Sequence, residues 1–409
     1  MHRTSAGGAR GRLRGVRKSF LVFGSPLIGQ EEIDEVVDSL RSAWIGTGPK
    51  VERFERMLEE YVGVDHVRCV SSCTAGLILS LRALGVGAGD EVLVPSMTFV
   101  ASANAVEQVG ARPVLVDSVE ETGLMDLEAA EAAVGPRTRA IMVVHLAGRP
   151  VDIDRVAALA ERHELVVIED AAHAIGAEWR GQRIGAHGNV TCFSFYATKN
   201  ITTAEGGAVA TPDRALADEI ERLALHGLSS GAWRRYSDAG FRHYVATEPG
   251  AKFNLTDLHA SLGIHQLPRL ERWIERRAEL WERYDHLLAD LPLTTPAAPS
   301  GDMRHARHLY SVRLADDAGL SRDALLEALE ARRIGAGVHY LAVHLHPYYR
   351  ERYGLEPDDL PIANRISQQT FSLPLSPKVS DTDQDDVADA LRRVLQRGAA
   401  GVLPAADAP

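Results

Sequence analysis

The stretch VIEDAAHAIGA (167–177), followed by FSFYATKNITTAEGG (193–207), decides how this chain folds. LVVIED (165–170) is a short apolar run that ends on Asp170, the pattern of a buried strand with an acid at its carboxyl end. In an open parallel sheet, ligands bind at the carboxyl ends of the strands. A carboxylate there is poorly solvated and needs a cationic partner. Lys199 lies in a polar loop between two β-rich runs, NVTCFSF and GAVAT. From such a loop a lysine can enter a pocket, lose its proton and become an amine nucleophile.

Working outward, short β-rich runs at 66–70, 91–95, 113–117, 140–145 and 165–170 alternate with helical stretches near 74–84, 101–109, 126–133 and 152–163. This alternation implies βαβ units and a mostly parallel sheet. Ile33, Val36, Val37 and Leu40 mark an amphipathic helix near 30–42, expected to pack on the small domain. Val51, Phe54, Leu58 and Tyr61 mark a second. Helices follow at 213–226 and about 256–290, then TTPAAPSG (294–301) breaks the chain. A strand (310–315) and helices (321–333, 380–397) complete it, and Ser380 with Asp383 fits a capping box. The expected division is a large domain over 20–290 and a smaller C-terminal α+β domain over 291–397. Residues 1–19, basic and without an apolar core, and 398–409 read as disordered tails.

Two further elements sit at strand ends. In VSSCTAGLILSLRAL (70–84), Ser71, Ser72 and Thr74 fall where a helix begins, which is either an ordinary N-cap or an anion site. In VPSMTFVASANAV (94–106), Phe99 follows a strand end, as a core residue or as a ring that stacks on a flat ligand. Asp170 and Lys199 alone leave a plain ion pair open. The competing reading is pyridoxal phosphate, for which a lysine forms the covalent link and an acid keeps the pyridine nitrogen protonated. Gly85, Gly87 and Gly89 read as a turn rather than a dinucleotide loop. His344 and His346 lack a third ligand at metal spacing, so no metal is expected.

The 409 residues are 45% hydrophobic and 25% charged, with 45 Lys plus Arg against 56 Asp plus Glu, a net charge of −11. An acidic chain argues against a general nucleic-acid partner. Three cysteines exclude a disulfide framework and suit a reducing, cytoplasmic setting. No apolar run is long enough to span a membrane.

SSCTAGL, VPSMTFVASANAV, VVHLAGRPVDID, VIEDAAHAIGA, CFSFYATKNITTAEGGAVAT, KFNLTDLHASLG, HYLAVHLHPYYRERYG and SLPLSPKVSDTDQDDV occur in this order. Together they resemble the DegT/DnrJ/EryC1/StrS family of sugar aminotransferases, from about residue 22 to 397. The resemblance implies an α/β chain of the pyridoxal-phosphate-dependent transferase fold type I. It implies a large domain with a mostly parallel central sheet flanked by helices, plus the smaller domain. It implies that Lys199 is the lysine joined to pyridoxal 5′-phosphate, Asp170 the partner of the pyridine nitrogen, and His173 a residue near the cofactor's phenolic oxygen. Thr74, Ala75 and Ser194 match phosphate contacts, and Phe99 the aromatic that covers the ring. Asn254 matches an Asn that reaches the phosphate from a neighbouring subunit, which implies a homodimer with shared sites. The turn reads Ser72-Cys73-Thr74 where many members have Asn-Gly-Thr. A dehydrating subgroup carries His in place of the lysine, so Lys199 points to transamination.

On the substrate side, Thr47, Trp233, Arg235, Tyr236, His339 and Tyr340 are candidates. Trp233, Arg235 and Tyr236 belong to the long basic and aromatic loop 226–250, which reads either as a solvated surface or as a nucleotide-sugar contact. The resemblance implies an amino acid donor, usually L-glutamate, and a dTDP- or UDP-linked keto-deoxysugar. Leu255 after Asn254, where members acting at C3 more often have Arg, leans toward C4. The competing functions are transamination of a cyclitol or other cyclic ketone, and a non-catalytic cofactor-binding regulator.

Overall fold

The computed structural model describes residues 16–228 and 245–399. The first half alternates as expected: α1 (Gln30–Ser42), α2 (Pro49–Val62), β1 (His66–Val70), α3 (Cys73–Ala83), β2 (Glu91–Pro95), α4 (Ala101–Gln108), β3 (Arg112–Val116), α5 (Leu127–Ala132), β4 (Thr138–Val144), α6 (Ile153–His163) and β5 (Val166–Asp170). Next come β6 (Glu178–Trp179), β7 (Gln182–Arg183), β8 (Val190–Ser194), β9 (Gly207–Thr211), α7 (Arg214–Ala224), α8 (Asp257–Gln266) and α9 (Leu270–Leu288). The C-terminal part holds β10 (Leu293–Thr294), β11 (Met303–Arg304), β12 (Tyr310–Leu314), α10 (Arg322–Glu330), α11 (Pro347–Tyr353), α12 (Pro361–Gln369), β13 (Thr370–Leu373) and α13 (Asp381–Ala399).

The main sheet has seven strands in the order β1-β9-β8-β5-β4-β2-β3. Only β9 runs antiparallel to its neighbours β1 and β8. Every residue of β8 and β9 is buried. Such strands read as unbroken apolar runs because helices cover both faces. Alternate residues feed two cores: Ile141, Val143 and Phe193 enter one, and Ala140, Met142 and Cys192 the other. At roughly 0.8 kcal/mol per buried CH₂, these two layers supply most of the driving force for folding. The register places Asp170 beside Val144 and Cys192, while Gly207 faces both Ser194 and Val70. The carboxyl ends of β1, β5 and β8 therefore open onto one crevice. At Gly207 a Cβ would lie 2.5 Å from Cys73 N and 2.7 Å from Phe193 O, so only glycine lets β9 pass this close to the start of α3.

A second, three-stranded antiparallel sheet, β10-β12-β13, builds the small domain with α10, α13 and the end of α9. Leu270, Trp273 and Ile274 of α9 belong to a large-domain core, whereas Leu280, Trp281, Tyr284 and Leu288 belong to the small-domain core. The two cores thus meet inside α9. The stretch expected as one helix over 256–290 is divided at Leu267–Arg269, a 3₁₀ turn containing Pro268, which cannot donate a backbone hydrogen bond.

The first helix corrects another expectation. It packs on α8 of the large domain, not on the small domain. Ser39 Oγ meets Ser261 Oγ at 2.8 Å, and the buried Glu32 accepts from Gln266 Nε2 at 2.7 Å. The segment before it is what touches the small domain. Arg17, placed by sequence in a disordered tail, pairs with Asp383 and Asp386 at 2.6 and 2.5 Å. Ser380 and Asp383 form the expected capping box: Ser380 N–H donates to Asp383 Oδ2 and Asp383 N–H to Ser380 Oγ. Among the described residues, no helix is long and apolar enough to cross a membrane.

Candidate active site

The crevice contains a cavity of about 420 Å³, a size suited to a small-molecule site. Its walls bring together Lys199, Asp170, His173, Thr74, Phe99, Ser194, His339 and Tyr340. These side chains come from the ends of β5 and β8, the start of α3, the turn after β2, the β8–β9 loop and the segment before α11.

Asp170 is 6% exposed at the end of β5. Its Oδ2 accepts from Ser102 Oγ at 2.7 Å, and its Oδ1 from Ala172 N–H at 3.1 Å. Cys73 Sγ lies 3.7 Å from Oδ1. Burial holds that thiol well above its ordinary range, so it stays protonated and can donate. The carboxylate is therefore gripped on both oxygens before any ligand arrives, which fixes its direction. Lys199 faces it from the β8–β9 loop. Burial lowers the lysine amine to about 8, against the opposing pull of Asp170. An amine in that range exchanges its proton near neutral pH, as a nucleophile or general base requires.

His173 is held by both ring nitrogens. Nδ1 accepts the Ala147 N–H at 3.2 Å, and Nε2 lies 3.0 Å from Tyr340 Oη. Burial, with Lys199 and His339 nearby, keeps the ring well below its ordinary pKa and hence neutral. Because Nδ1 accepts, Nε2 carries the hydrogen and donates it to Tyr340. The hydroxyl hydrogen of Tyr340 is then available to an acceptor in the cavity. The ring of His308 packs against His173 at 4.5 Å. Phe99 is 55% exposed, with its ring 5.5 Å from that of Tyr340. It is a cavity wall rather than a core residue.

At the start of α3, Ser72 Oγ accepts the Ala75 N–H at 3.1 Å. The amides of Cys73 and Thr74 precede it in the first turn, where no intrahelical acceptor exists. The N-cap reading of this turn therefore holds, and the amides ahead of Ala75 have no acceptor within the helix. Ala75 itself does not line the cavity. Ser194 does, at the end of β8.

Asn254 and Thr47 lie elsewhere. Asn254 Nδ2 donates to Thr47 Oγ1 at 2.6 Å, and both line a separate cavity with Glu55 and Arg68. Trp233, Arg235 and Tyr236 fall outside the described residues. His344 is buried, with Nδ1 2.7 Å from Ser96 Oγ, a structural engagement rather than a ligand geometry. Gly85 and Gly89 take positive φ in a turn. Sequence reasoning missed Ser102, Phe23, Tyr196 and His308. Ser102 carried a readable signal: a hydroxyl in the first turn of the helix after a strand end.

The DegT/DnrJ/EryC1/StrS aminotransferase family model matches residues 26–392. The spore coat polysaccharide biosynthesis protein SpsC of Bacillus subtilis (strain 168) is 45% identical over 383 residues, 93% of this chain and 98% of the relative. Among solved structures, the PLP-form of the putative sugar aminotransferase Spr1654 from Streptococcus pneumoniae superposes with a TM-score of 0.86 at 34% identity. It covers 93% of this chain and 99% of its own. PseC of Helicobacter pylori, an aminotransferase involved in the biosynthesis of pseudoaminic acid, gives a TM-score of 0.85 at 27% identity, over 92% of this chain and all of its own.

Proposed function

The chain belongs to the DegT/DnrJ/EryC1/StrS aminotransferase family of pyridoxal-phosphate-dependent enzymes, and from that premise we propose a specific reaction for it. The enzyme moves the amino group of L-glutamate to C4 of a keto-deoxysugar carried on dTDP or UDP. The observation that carries the reading is the meeting of Lys199, of lowered pKa, with a doubly held Asp170 in one cavity at the strand ends.

The donor set fits the cofactor. Lys199 would hold its aldehyde carbon, Asp170 its ring nitrogen, and Phe99 one ring face. The Thr74 turn and Ser194 would hold its phosphate, with the neighbouring subunit's Asn254 completing the site in a homodimer. That Asn254 and Thr47 stand outside the cavity of their own chain supports such sharing. When bound, the cofactor supplies an electron sink for negative charge at the donor's α-carbon.

The chain's own groups do the rest. The Lys199 amine, freed once the donor's amine takes its place on the aldehyde carbon, would carry the proton from the donor's α-carbon to that aldehyde carbon. Ser102 and the Ala172 amide hold the Asp170 carboxylate in place, where it would pair with the ring nitrogen. His173, neutral and donating to Tyr340, orients the Tyr340 hydroxyl toward the substrate. Leu255 after Asn254 supports C4, and the polysaccharide relative supports a sugar over a cyclitol. Three buried, unpaired thiols fit a reducing cytoplasm.

The test is incubation with L-glutamate and a dTDP- or UDP-4-keto-6-deoxyhexose, a 3-keto isomer or scyllo-inosose, with the product's aminated carbon assigned by NMR. We expect amination at C4 of the first. Preference for either of the others refutes the assignment.

A further inference from the structure

The N-terminal segment RKSFLVFGSP (17–26) has no part in the mechanism above, yet it is fixed at three places. Arg17 forks onto Asp383 and Asp386 at the start of α13. Leu21 joins the small domain by two backbone bonds: its N–H donates to Arg333 O at 2.8 Å, and its carbonyl accepts from Gly335 N–H at 2.9 Å. At Gly335 a Cβ would stand 2.9 Å from Leu21 O and 3.1 Å from Phe23 N, so a side chain there would displace the segment. Further on, Lys378 Nζ donates to Ser25 Oγ at 3.2 Å, and Gly24 lies beside Thr198, the neighbour of Lys199. Between these anchors Phe23 enters the wall of the cavity, its ring stacked on His339 at 5.2 Å and 27°.

We propose that Phe23 is a specificity-determining residue: its ring forms an apolar wall that selects a sugar carbon bearing hydrogen rather than hydroxyl, such as the C6 methyl of a 6-deoxyhexose. Of the polar groups beside the ring, His339 Nδ1 is taken by Ser372 Oγ at 2.9 Å, and Tyr340 Oη accepts from His173 Nε2, which leaves one hydroxyl hydrogen for the cavity. A hydroxyl turned toward Phe23 loses its water and meets hydrocarbon, whereas a methyl gains contact. The assignment rests on the sugar-transamination reading, and it adds the substrate feature that the site measures.

The experiment compares kcat/KM for a nucleotide-linked 4-amino-4,6-dideoxyhexose and its 6-hydroxy counterpart, run toward 2-oxoglutarate. The wild type is expected to favour the deoxy sugar by about 10- to 100-fold, the discrimination an apolar pocket achieves against an added hydroxyl. Phe23→Ala should bring the ratio to within about threefold by weakening the deoxy sugar, and Phe23→Leu should restore most of it, since each tenfold is about 1.4 kcal/mol of contact. A ratio unchanged in Phe23→Ala overturns the wall while leaving sugar transamination standing. Wild-type failure to turn over either sugar overturns both.

Discussion

Replacing Lys199 by Met removes an amine from the cavity but keeps most of its hydrocarbon stem. In the cofactor-free protein, burial lowers this amine from 10.5 to about 8. Between those two pH values the unfolded chain holds a proton here that the folded chain has released. Stability therefore rises with pH across that window, and below it the full cost of a buried charge is present. At about 1.4 kcal/mol per pKa unit, the lowering is worth about 3 kcal/mol. Water admitted to a cavity of about 420 Å³ screens part of it, so we expect Lys199→Met to stabilise the cofactor-free protein by about 1–3 kcal/mol at neutral pH. The gain should shrink steadily above pH 8 and vanish near the ordinary lysine value. Urea melts of both proteins at a series of pH values, compared at equal m, measure it directly. No gain at neutral pH, or a gain indifferent to pH, would put the amine in solvent and remove the physical basis for its reactivity.

Ser102→Ala deletes the 2.7 Å hydrogen bond to Asp170 Oδ2. Bonds to charged groups are worth about 1.5–3 kcal/mol, so kcat/KM for glutamate should fall by about 10- to 100-fold; unaltered steady-state kinetics would show that Asp170 is held well enough without it. Behind Asp170, Glu169 is fully buried and accepts from Asn189 Nδ2 at 2.7 Å and from His145 Nε2 at 2.8 Å. Burial raises its carboxyl, but these hydrogen bonds outweigh that and hold it below 4.5. Its contribution to stability is thus present above that pH and lost as pH falls through the lowered folded value. Glu169→Gln should flatten the acid limb of the melting-temperature profile, and an identical limb would refute the buried ion's role.

The alternating strands and helices were legible because strands covered on both faces leave short unbroken apolar runs, and the helices that cover them carry a 3.6-residue apolar period. The antiparallel direction of β9 was not, since its residues are buried on both sides whichever way it runs. Asp170, Lys199 and Phe99 could be singled out because strand ends and polar loops mark where a crevice opens. Ser102 escaped because a serine in a helix's first turn ordinarily caps its own helix. Phe23 escaped because its segment holds no periodic pattern; its place depends on pairing with residues more than 300 positions away. The packing of α1 was misjudged because its buried contacts are polar, through Glu32 and Ser39, while Ile33 and Leu40 of the expected apolar stripe stay exposed.

At 1.5 Å per residue, the 19 residues of α9 form a continuous rod of about 28 Å whose two ends are sunk in different cores. Such a shaft transmits torque. The Pro- and Ser-rich stretch 294–301 is no free hinge beside it: it starts in β10, paired to β12, and Arg149 donates to the carbonyls of Ala297 and Ala298. The strip near Ile274–Leu280, where one core hands over to the other, is where a single substitution would be felt at both ends.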